Sequence, residues 1–274
     1  MKFAICNETF QDWPFDKAFA YAAKLGYTGL EIAPFTMHTS AYEISPHDRH
    51  KVRRQADDNN LEIIGLHWLL AKTTGYYLTT PDDAIRHKTS DYLAELARLC
   101  HDLGGHVMVL GSPLQRNLLP GVTHEQAMEL AADCLRRAMP TLAECGVTLA
   151  VEPLGPKDGT FLHTAQLGVQ LCEMVGSPYC RLHLDCKAMA TESKPIPQII
   201  RESAPLLQHF HANDPNMRGP GMGELDFVPI FQTLAEIDYR GWVSVEVFDY
   251  APGVEALASE SIAYMRRCAT QIGA

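Results

Sequence analysis

The sequence predicts an α/β fold, a single (β/α)8 TIM-barrel domain that spans residues 1–274. Three observations support this prediction. Short apolar runs typical of buried strands alternate eight times with stretches whose apolar residues recur at helical spacing. No linker, low-complexity segment or block of like charge divides the chain. The length is also close to the roughly 250 residues of a typical barrel of this kind.

The first half of the chain is predicted to contain four strands, each followed by a helix. Capping residues mark the helix ends: Ser45 and Thr123 are predicted N-caps, and Gly26 and Gly104 follow the last turns of two helices. The predicted strands are residues 2–6, 29–34, 61–70 and 106–111, and the predicted helices are residues 15–26, 46–59, 82–103 and 124–146.

The second half repeats the alternation of strand and helix. Its predicted strands are residues 147–152, 180–185, 206–211 and 242–248, and its predicted helices are residues 165–175, 195–203, 227–237 and 254–272. The alternative fold is an open, doubly wound sheet. That fold usually has a Gly-rich phosphate loop after its first strand, and residues 7–14 (NETFQDWP) contain no glycine.

Composition and charge restrict the function classes. Thirty-three acidic against twenty-three basic residues give a formal net charge of −10, which disfavours nucleic acid as a partner. The N-terminus lacks the pattern of a signal peptide, and no apolar run reaches the roughly 18 residues of a membrane span. The eight cysteines show no CxxC spacing, so we expect reduced core thiols in a cytoplasmic protein.

Four side chains with metal-binding chemistry follow four successive predicted strands. Residues 147–152 (VTLAVE) have the period of two that sends alternate side chains to opposite faces of a strand. Glu152 is therefore expected on the inner face at the strand end, where the following proline stops the strand. Three further strand-like runs carry Asp185, His211 and Glu246 at their carboxyl ends.

The spacing and chemistry of these four residues predict a metal site at the mouth of the barrel. Neighbouring members are separated by roughly the 30 residues of one strand–helix–strand unit, so all four lie at the same end of the barrel. Three carboxylates and one imidazole suit Mn²⁺, with Mg²⁺ or Co²⁺ as substitutes, better than a structural zinc. A six-coordinate ion would keep positions open for a substrate.

Other polar residues are placed near this site by strand parity or by loop position. His183 and His209 are expected to point into the barrel below the mouth, as buried hydrogen-bonded imidazoles. His67 and Glu31, at the mouth ends of two strands, are expected either to contact a polar substrate or to cap a loop. Arg218, in the loop after the seventh strand, either binds substrate hydroxyls, a carboxylate or a phosphate, or forms a surface ion pair.

Four motifs resemble those of the xylose-isomerase-like sugar isomerases and epimerases: AVEPL, HLDCKAM, HFHAND and SVEVFD. This group contains D-tagatose 3-epimerase, hydroxypyruvate isomerase and L-ribulose-5-phosphate 3-epimerase. The resemblance covers essentially the whole chain. It implies the same barrel and, by motif, Mn²⁺ or Mg²⁺ ligands at Glu152, Asp185, His211 and Glu246.

The same resemblance implies a metal-dependent sugar isomerase or epimerase that acts on a small keto-sugar, sugar phosphate or keto-acid. Glu152 and Glu246 would also be its acid/base pair. One removes a proton next to the carbonyl to form a metal-bound enediolate, and the other returns a proton. Homodimers or homotetramers are common in this group.

Two positions depart from the ketose 3-epimerase pattern. Ala188 occupies the position of a substrate-contacting histidine, and Asp158 occupies that of a glutamate. The substrate pocket is therefore expected to differ from that of the D-tagatose and D-psicose 3-epimerases. Lys187 and Asp158 are candidate substrate contacts, and Lys187 with Arg218 would suit an acidic or phosphorylated sugar.

Three alternatives stay open at this point. Inosose dehydratases are lyases that share the fold and ligand set and begin with the same proton abstraction. Nucleases of the endonuclease IV type share the barrel but need additional histidines for three zinc ions, and the net charge also argues against them. The third alternative is a metal-stabilised barrel without catalysis, or a binding protein.

Overall fold

Eight parallel strands form a closed barrel in the computed structural model, which describes residues 1–273. Each strand pairs with its neighbours in chain order, and β8 closes the barrel against β1, with Val245 opposite Ile5. The predicted fold class is confirmed. The strands are β1 (Lys2–Cys6), β2 (Gly29–Ile32), β3 (Glu62–Leu66), β4 (Val107–Leu110), β5 (Thr148–Val151), β6 (Cys180–Asp185), β7 (Leu207–Ala212) and β8 (Trp242–Val245).

The helices surround the barrel. Eight of them correspond to predicted helices, and the four-residue α6 is additional because one turn is too short to show a helical period in the sequence. The helices are α1 (Phe15–Leu25), α2 (Pro46–Asp57), α3 (Asp83–Leu103), α4 (His124–Cys145), α5 (Ala165–Val175), α6 (Cys186–Met189), α7 (Ile196–Ser203), α8 (Val228–Glu236) and α9 (Val254–Gln271).

The predicted caps define several helix ends. The Ser45 side chain accepts a 3.2 Å hydrogen bond from a backbone N–H in the first turn of α2. Thr123 forms a capping box with Gln126 at the start of α4. Gly26 and Gly104 have φ angles of 93° and 92°, a left-handed conformation that glycine adopts without the cost of a Cβ contact. These local signals explain the close match of helix boundaries.

Three strands end two or more residues earlier than predicted. The sheet pairing of β2, β3 and β8 stops at Ile32, Leu66 and Val245, and the apolar residues that follow turn into loops at the mouth. Trp68, for example, has a φ of 52° and lies outside β3. Apolar residues at the mouth pack around the site rather than in the sheet, so their apolar character does not mark the strand end.

The apolar core lies between the strands and the surrounding helices. Side chains such as Leu149, Leu182 and Phe210 are completely buried there. All eight cysteines are free thiols, and seven of them are buried. Among residues 1–273, every helix is too short or too polar to cross a membrane.

Candidate active site

The four predicted metal ligands lie together at the carboxyl ends of β5 to β8. Glu152 and Glu246 follow the last residues of β5 and β8, Asp185 ends β6, and His211 lies in β7. Asp185 and His211 are register partners on adjacent strands. All four side chains are buried, with at most 5% of each residue exposed. The barrel geometry thus brings together residues that are distant in the chain.

Three of these ligands form a central cluster with a fourth residue. Glu152, Asp185, His211 and His183 each offer one ligand atom, and these atoms lie within 4.8 Å of one another. Glu246 contacts this central cluster through its Oε2, which lies 3.0 Å from His211 Nδ1. The structure therefore brings the four predicted ligands together and adds His183.

Hydrogen bonds from three different segments, α6 and two loops, orient the carboxylates. Asp185 Oδ1 accepts a 2.8 Å hydrogen bond from the backbone N–H of Ala188, and its Oδ2 accepts one from the amide of Asn213. Glu246 Oε1 accepts a 2.6 Å hydrogen bond from the indole N–H of Trp68. These contacts fix the orientation of both carboxylates.

Glu152 approaches the backbone of the β4–α4 loop very closely. A Cβ placed on Gly111 would lie 1.7 Å from Glu152 Oε2, so a larger residue at this position would displace the carboxylate. The buried guanidinium of Arg116 donates a 2.7 Å hydrogen bond to the Glu152 carbonyl and a 3.2 Å bond to the Leu110 carbonyl. Arg116 thereby ties the end of β5 to the end of β4.

Glu31 determines which nitrogen of His211 faces the central cluster. His211 Nε2 lies 3.1 Å from Glu31 Oε1, while Nδ1 points toward Glu246. Glu31 Oε1 also lies 2.7 Å from Nε2 of His209, the buried, hydrogen-bonded histidine expected from strand parity. Burial opposes ionisation of Glu31, but the two imidazoles lower its pKa well below the usual value. With Nε2 bonded to Glu31, Nδ1 is the nitrogen available to a cation.

The carboxylates of the cluster repel one another. Burial raises the pKa of Glu152 well above its usual value, and the nearby Glu246 and Asp185 raise it further. Burial and the proximity of Glu246 also raise the pKa of Asp185. Several buried acids therefore share one small volume, and this arrangement favours a bound positive charge.

The pKa values of His211 and His183 are shifted in opposite directions. Burial opposes protonation of His211, yet Glu31 and Glu246 raise its pKa well above the usual value. Burial opposes ionisation of Glu246, but the contact with His211 lowers its pKa. Burial and the neighbouring imidazoles lower the pKa of His183, and neither of its ring nitrogens has a hydrogen-bond partner in the described chain. The expected hydrogen bond of His183 is thus absent.

These residues fit a divalent cation. The donor set of three carboxylates and one imidazole is rich in oxygen. The negative charge of the carboxylates exceeds the single positive charge that His211 can carry. The unpartnered nitrogens of His183 and the raised pKa of Glu152 both indicate that the protein atoms alone do not satisfy this site. A cation at Nδ1 of His211 would replace the charge of the proton that this nitrogen otherwise carries.

A cavity of about 310 Å³ opens above the central cluster. Glu152, Glu246 and Asp158 line it, and its wall contains the rings of Trp68 and Phe248. These two rings stack with centroids 6.0 Å apart and planes inclined by 16°. The cavity therefore combines an acidic floor with a flat aromatic wall.

The predicted substrate contacts are distributed between the cavity and its surroundings. Lys187 Nζ forms a 2.8 Å ion pair with Asp158 and lies 4.8 Å from the centre of the Phe248 ring. Arg218 is partly exposed and pairs with Asp249 at 2.8 Å. The basic groups proposed for an acidic or phosphorylated sugar are thus both neutralised by carboxylates.

His67 and Glu31 lie deeper than the sequence suggested. His67 is fully buried and its Nε2 contacts Glu8 Oε2. Glu31 belongs to β2 itself and lies beneath His211, with both oxygens in contact with imidazole. Its side chain points toward these imidazoles, and its role as a substrate contact stays a prediction.

The match to known families agrees with this geometry. The model of the xylose isomerase-like TIM barrel family matches residues 19–268. The chain belongs to this family. The resemblance inferred from the four sequence motifs is thus confirmed.

Three similar proteins match between 87% and 98% of this chain. The probable ketose 3-epimerase of Synechocystis sp. is 25% identical, and the match covers 91% of this chain and 89% of the length of that protein. The D-psicose 3-epimerase of Ruminiclostridium cellulolyticum is 26% identical, covering 87% and 80%. The structure of D-psicose 3-epimerase with D-tagatose from Clostridium cellulolyticum H10 has a TM-score of 0.85 at 22% identity, covering 98% and 99%. Their names agree with the enzyme class predicted from the sequence.

Several residues of this xylose isomerase-like site were not identified from the sequence. Glu8 follows β1 closely, so the strand-end argument that selected Glu152 could have found it. Trp68, Asn213 and Arg116 reach the site from loops, and no period or spacing indicates them. The identity of the ion, the cytoplasmic location and the oligomeric state remain predictions.

Proposed function

We propose that this member of the xylose isomerase-like family is a divalent-metal-dependent epimerase that inverts a carbon next to the carbonyl of a keto-sugar. The observation that carries the proposal is that Glu152 and Glu246 line the same cavity above the central cluster. Their strands, β5 and β8, are three positions apart in the closed barrel. The two carboxylates therefore approach a bound molecule from different sides.

The residues that would hold the cation are Glu152, Asp185, Glu246 and His211 through its Nδ1. When bound, the cation would polarise the carbonyl and an adjacent hydroxyl of the sugar, and so stabilise negative charge that develops when a neighbouring carbon loses its proton. Mn²⁺ is the favoured ion, with Mg²⁺ and Co²⁺ as substitutes, because oxygen donors predominate.

Glu152 and Glu246 carry out the proton transfers. One carboxylate removes the proton from one face of the carbon, and the other acid delivers a proton to the opposite face, which inverts the centre. The hydrogen bond from Trp68 orients Glu246, and Arg116 holds the backbone at Glu152. Each group typically contributes about 10²- to 10⁴-fold to the rate.

We propose a ketose without a phosphate group as the substrate, with inversion at C3. Relatives named ketose 3-epimerases support the reaction. The ion pairs of Lys187 with Asp158 and of Arg218 with Asp249 support an uncharged sugar, because a phosphate would have to displace a carboxylate from either cation. The Lys187–Asp158 pair would hydrogen-bond sugar hydroxyls in place of the histidine that Ala188 replaces.

The test is incubation of the Mn²⁺-loaded protein with ketoses in deuterated water. We expect one deuterium at C3 of an epimer of unchanged composition, and we expect Glu152→Gln and Glu246→Gln each to abolish exchange. Glu129→Gln, on the exposed face of α4, is the control and should retain activity. Loss of water from the product would instead show the dehydratase reaction. Full exchange by either active-site variant would refute the role of that glutamate.

A further inference from the structure

A second group of buried donors lies beside the central cluster, and three of its four members have no role in the proton transfers. We propose that this group, the Cys6 cluster of Cys6, Glu8, His67 and Glu246, binds a second divalent cation of softer character, Zn²⁺ or Co²⁺. One ligand atom from each residue lies within 4.8 Å of the others. The inference goes beyond the proposed epimerase activity and does not require it.

The Cys6 cluster is assembled from three neighbouring parts of the barrel mouth. Cys6 ends β1, Glu8 lies in the 3-10 turn that follows, His67 follows β3, and Glu246 follows β8. At most 5% of any of these residues is exposed. The four donors are therefore held by the sheet ends and are screened from water, as ligands of a tightly bound ion would be.

Two buried atoms of this cluster are unsatisfied. Glu8 Oε2 contacts His67 Nε2, but Glu8 Oε1 and His67 Nδ1 have no hydrogen-bond partner among residues 1–273. A buried polar atom without a partner costs about 1–3 kcal/mol, and more when it is charged. A simple Glu8–His67 ion pair leaves the cost of both unpartnered atoms in place. A cation bound by Glu8 Oε1 and His67 Nδ1 would remove it.

The donor atoms are close enough for coordination after a contraction of the cluster. Ligand distances of about 2.0–2.3 Å in a tetrahedral arrangement place two donors of one zinc ion about 3.3–3.8 Å apart. Donor atoms within 4.8 Å of one another therefore need to approach by at most about 1.5 Å.

The donor chemistry differs from that of the central cluster. A thiolate and an imidazole beside carboxylates favour Zn²⁺ or Co²⁺, while the oxygen-rich central cluster favours Mn²⁺. Glu246 contacts both groups, because its Oε2 lies 3.0 Å from His211 Nδ1 and it belongs to the Cys6 cluster. Two ions would therefore share the Glu246 carboxylate, as carboxylates do in two-metal sites.

The test is a metal count on the full chain. Chelator-treated protein is reloaded with equal amounts of Mn²⁺ and Zn²⁺, and bound metal is measured by mass spectrometry after desalting. We expect two ions per chain, one of each kind. Glu8→Gln and Cys6→Ser should lose zinc and keep manganese, and Asp185→Asn should lose manganese and keep zinc. Cys100→Ser is the matched control, because this buried thiol only donates to the Val107 carbonyl at 3.5 Å.

A spectrum provides an independent measurement. In the Co²⁺-loaded protein we expect a thiolate-to-cobalt charge-transfer band in the near ultraviolet, which Cys6→Ser removes and Cys100→Ser retains. One ion per chain in the unaltered protein, or cobalt without this band, overturns the proposal. Zinc that persists in both Glu8→Gln and Cys6→Ser also overturns it.

Two further points keep this test decisive. If both variants fail to fold, the ion count and the cobalt spectrum of the unaltered protein decide. Failure of the epimerase proposal would show as absent deuterium exchange, with the metal count unchanged.

Discussion

Trp68 donates a 2.6 Å hydrogen bond from its indole N–H to Oε1 of Glu246, although the two residues are 178 positions apart in the chain. This contact joins the loop after β3 to the end of β8, across the positions of β1 and β2. It also places the Trp68 ring against Phe248 in the cavity wall. One side chain thus shapes the cavity and orients a proposed acid/base group.

Trp68→Phe tests the second of these roles, the orientation of Glu246, separately. The phenylalanine ring keeps an aromatic wall but removes the donor to Glu246. Because a hydrogen bond to a charged group contributes about 1.5–3 kcal/mol, we expect kcat for ketose epimerisation to fall by about 10-fold or more. Steady-state kinetics give the measurement, and a change confined to KM would contradict the orienting role.

Gly111→Ala should inactivate the enzyme without unfolding it. The new methyl group would lie 1.7 Å from Glu152 Oε2, so the carboxylate must move. A displacement of about 1 Å at a reacting group can cost about 10²-fold in rate. We expect that loss in kcat, with far-UV circular dichroism unchanged. Activity within a few-fold of the parent enzyme would show that Glu152 does not need this position.

Glu31→Gln should weaken metal binding rather than substrate binding. Glu31 contacts Nε2 of His211 and so selects Nδ1 as the nitrogen that faces the cluster. Removal of such a supporting carboxylate typically costs about 10- to 100-fold in metal affinity. Titration of the metal-free variant with Mn²⁺ measures the loss. Unchanged affinity together with a raised KM would instead indicate substrate contact, as the sequence had suggested.

Asp133 on α4 allows a pH-dependent stability prediction away from the site. Burial opposes ionisation of Asp133, but hydrogen bonds from Arg137 and Arg86 lower its pKa. A lowered folded-state pKa adds stability above the unfolded pKa of about 3.9, and this stability is lost as the pH falls through the folded value. Partly exposed ion pairs contribute about 0.2–1 kcal/mol.

Asp133→Asn should therefore lower the melting temperature at pH 7 by about 1–3 °C. The difference from the parent protein should shrink as the pH falls below about 4, where the parent loses the same interaction. Glu129→Gln, an exposed carboxylate on the same helix, is the control and should show little difference at either pH. If the difference in melting temperature persists in acid, the effect comes from packing and not from charge.

The sequence alone determined the architecture and the four-residue set at the mouth. Alternating apolar patterns and local caps specify the strands and helices, because both depend on near neighbours in the chain. In a parallel barrel all strand ends meet at one face, so Glu152, Asp185, His211 and Glu246 could be placed together without coordinates.

Only the tertiary structure decided which other residues join them. Trp68, Arg116 and Asn213 reach the site through loop conformations that no sequence period encodes. The depth of Glu31 and the missing partners of His183 depend on shifts of a few ångströms along a strand, which alternation does not resolve. The partners of Lys187 and Arg218, and the Cys6 cluster, likewise follow from long-range packing, because each unites segments that meet only when the barrel closes.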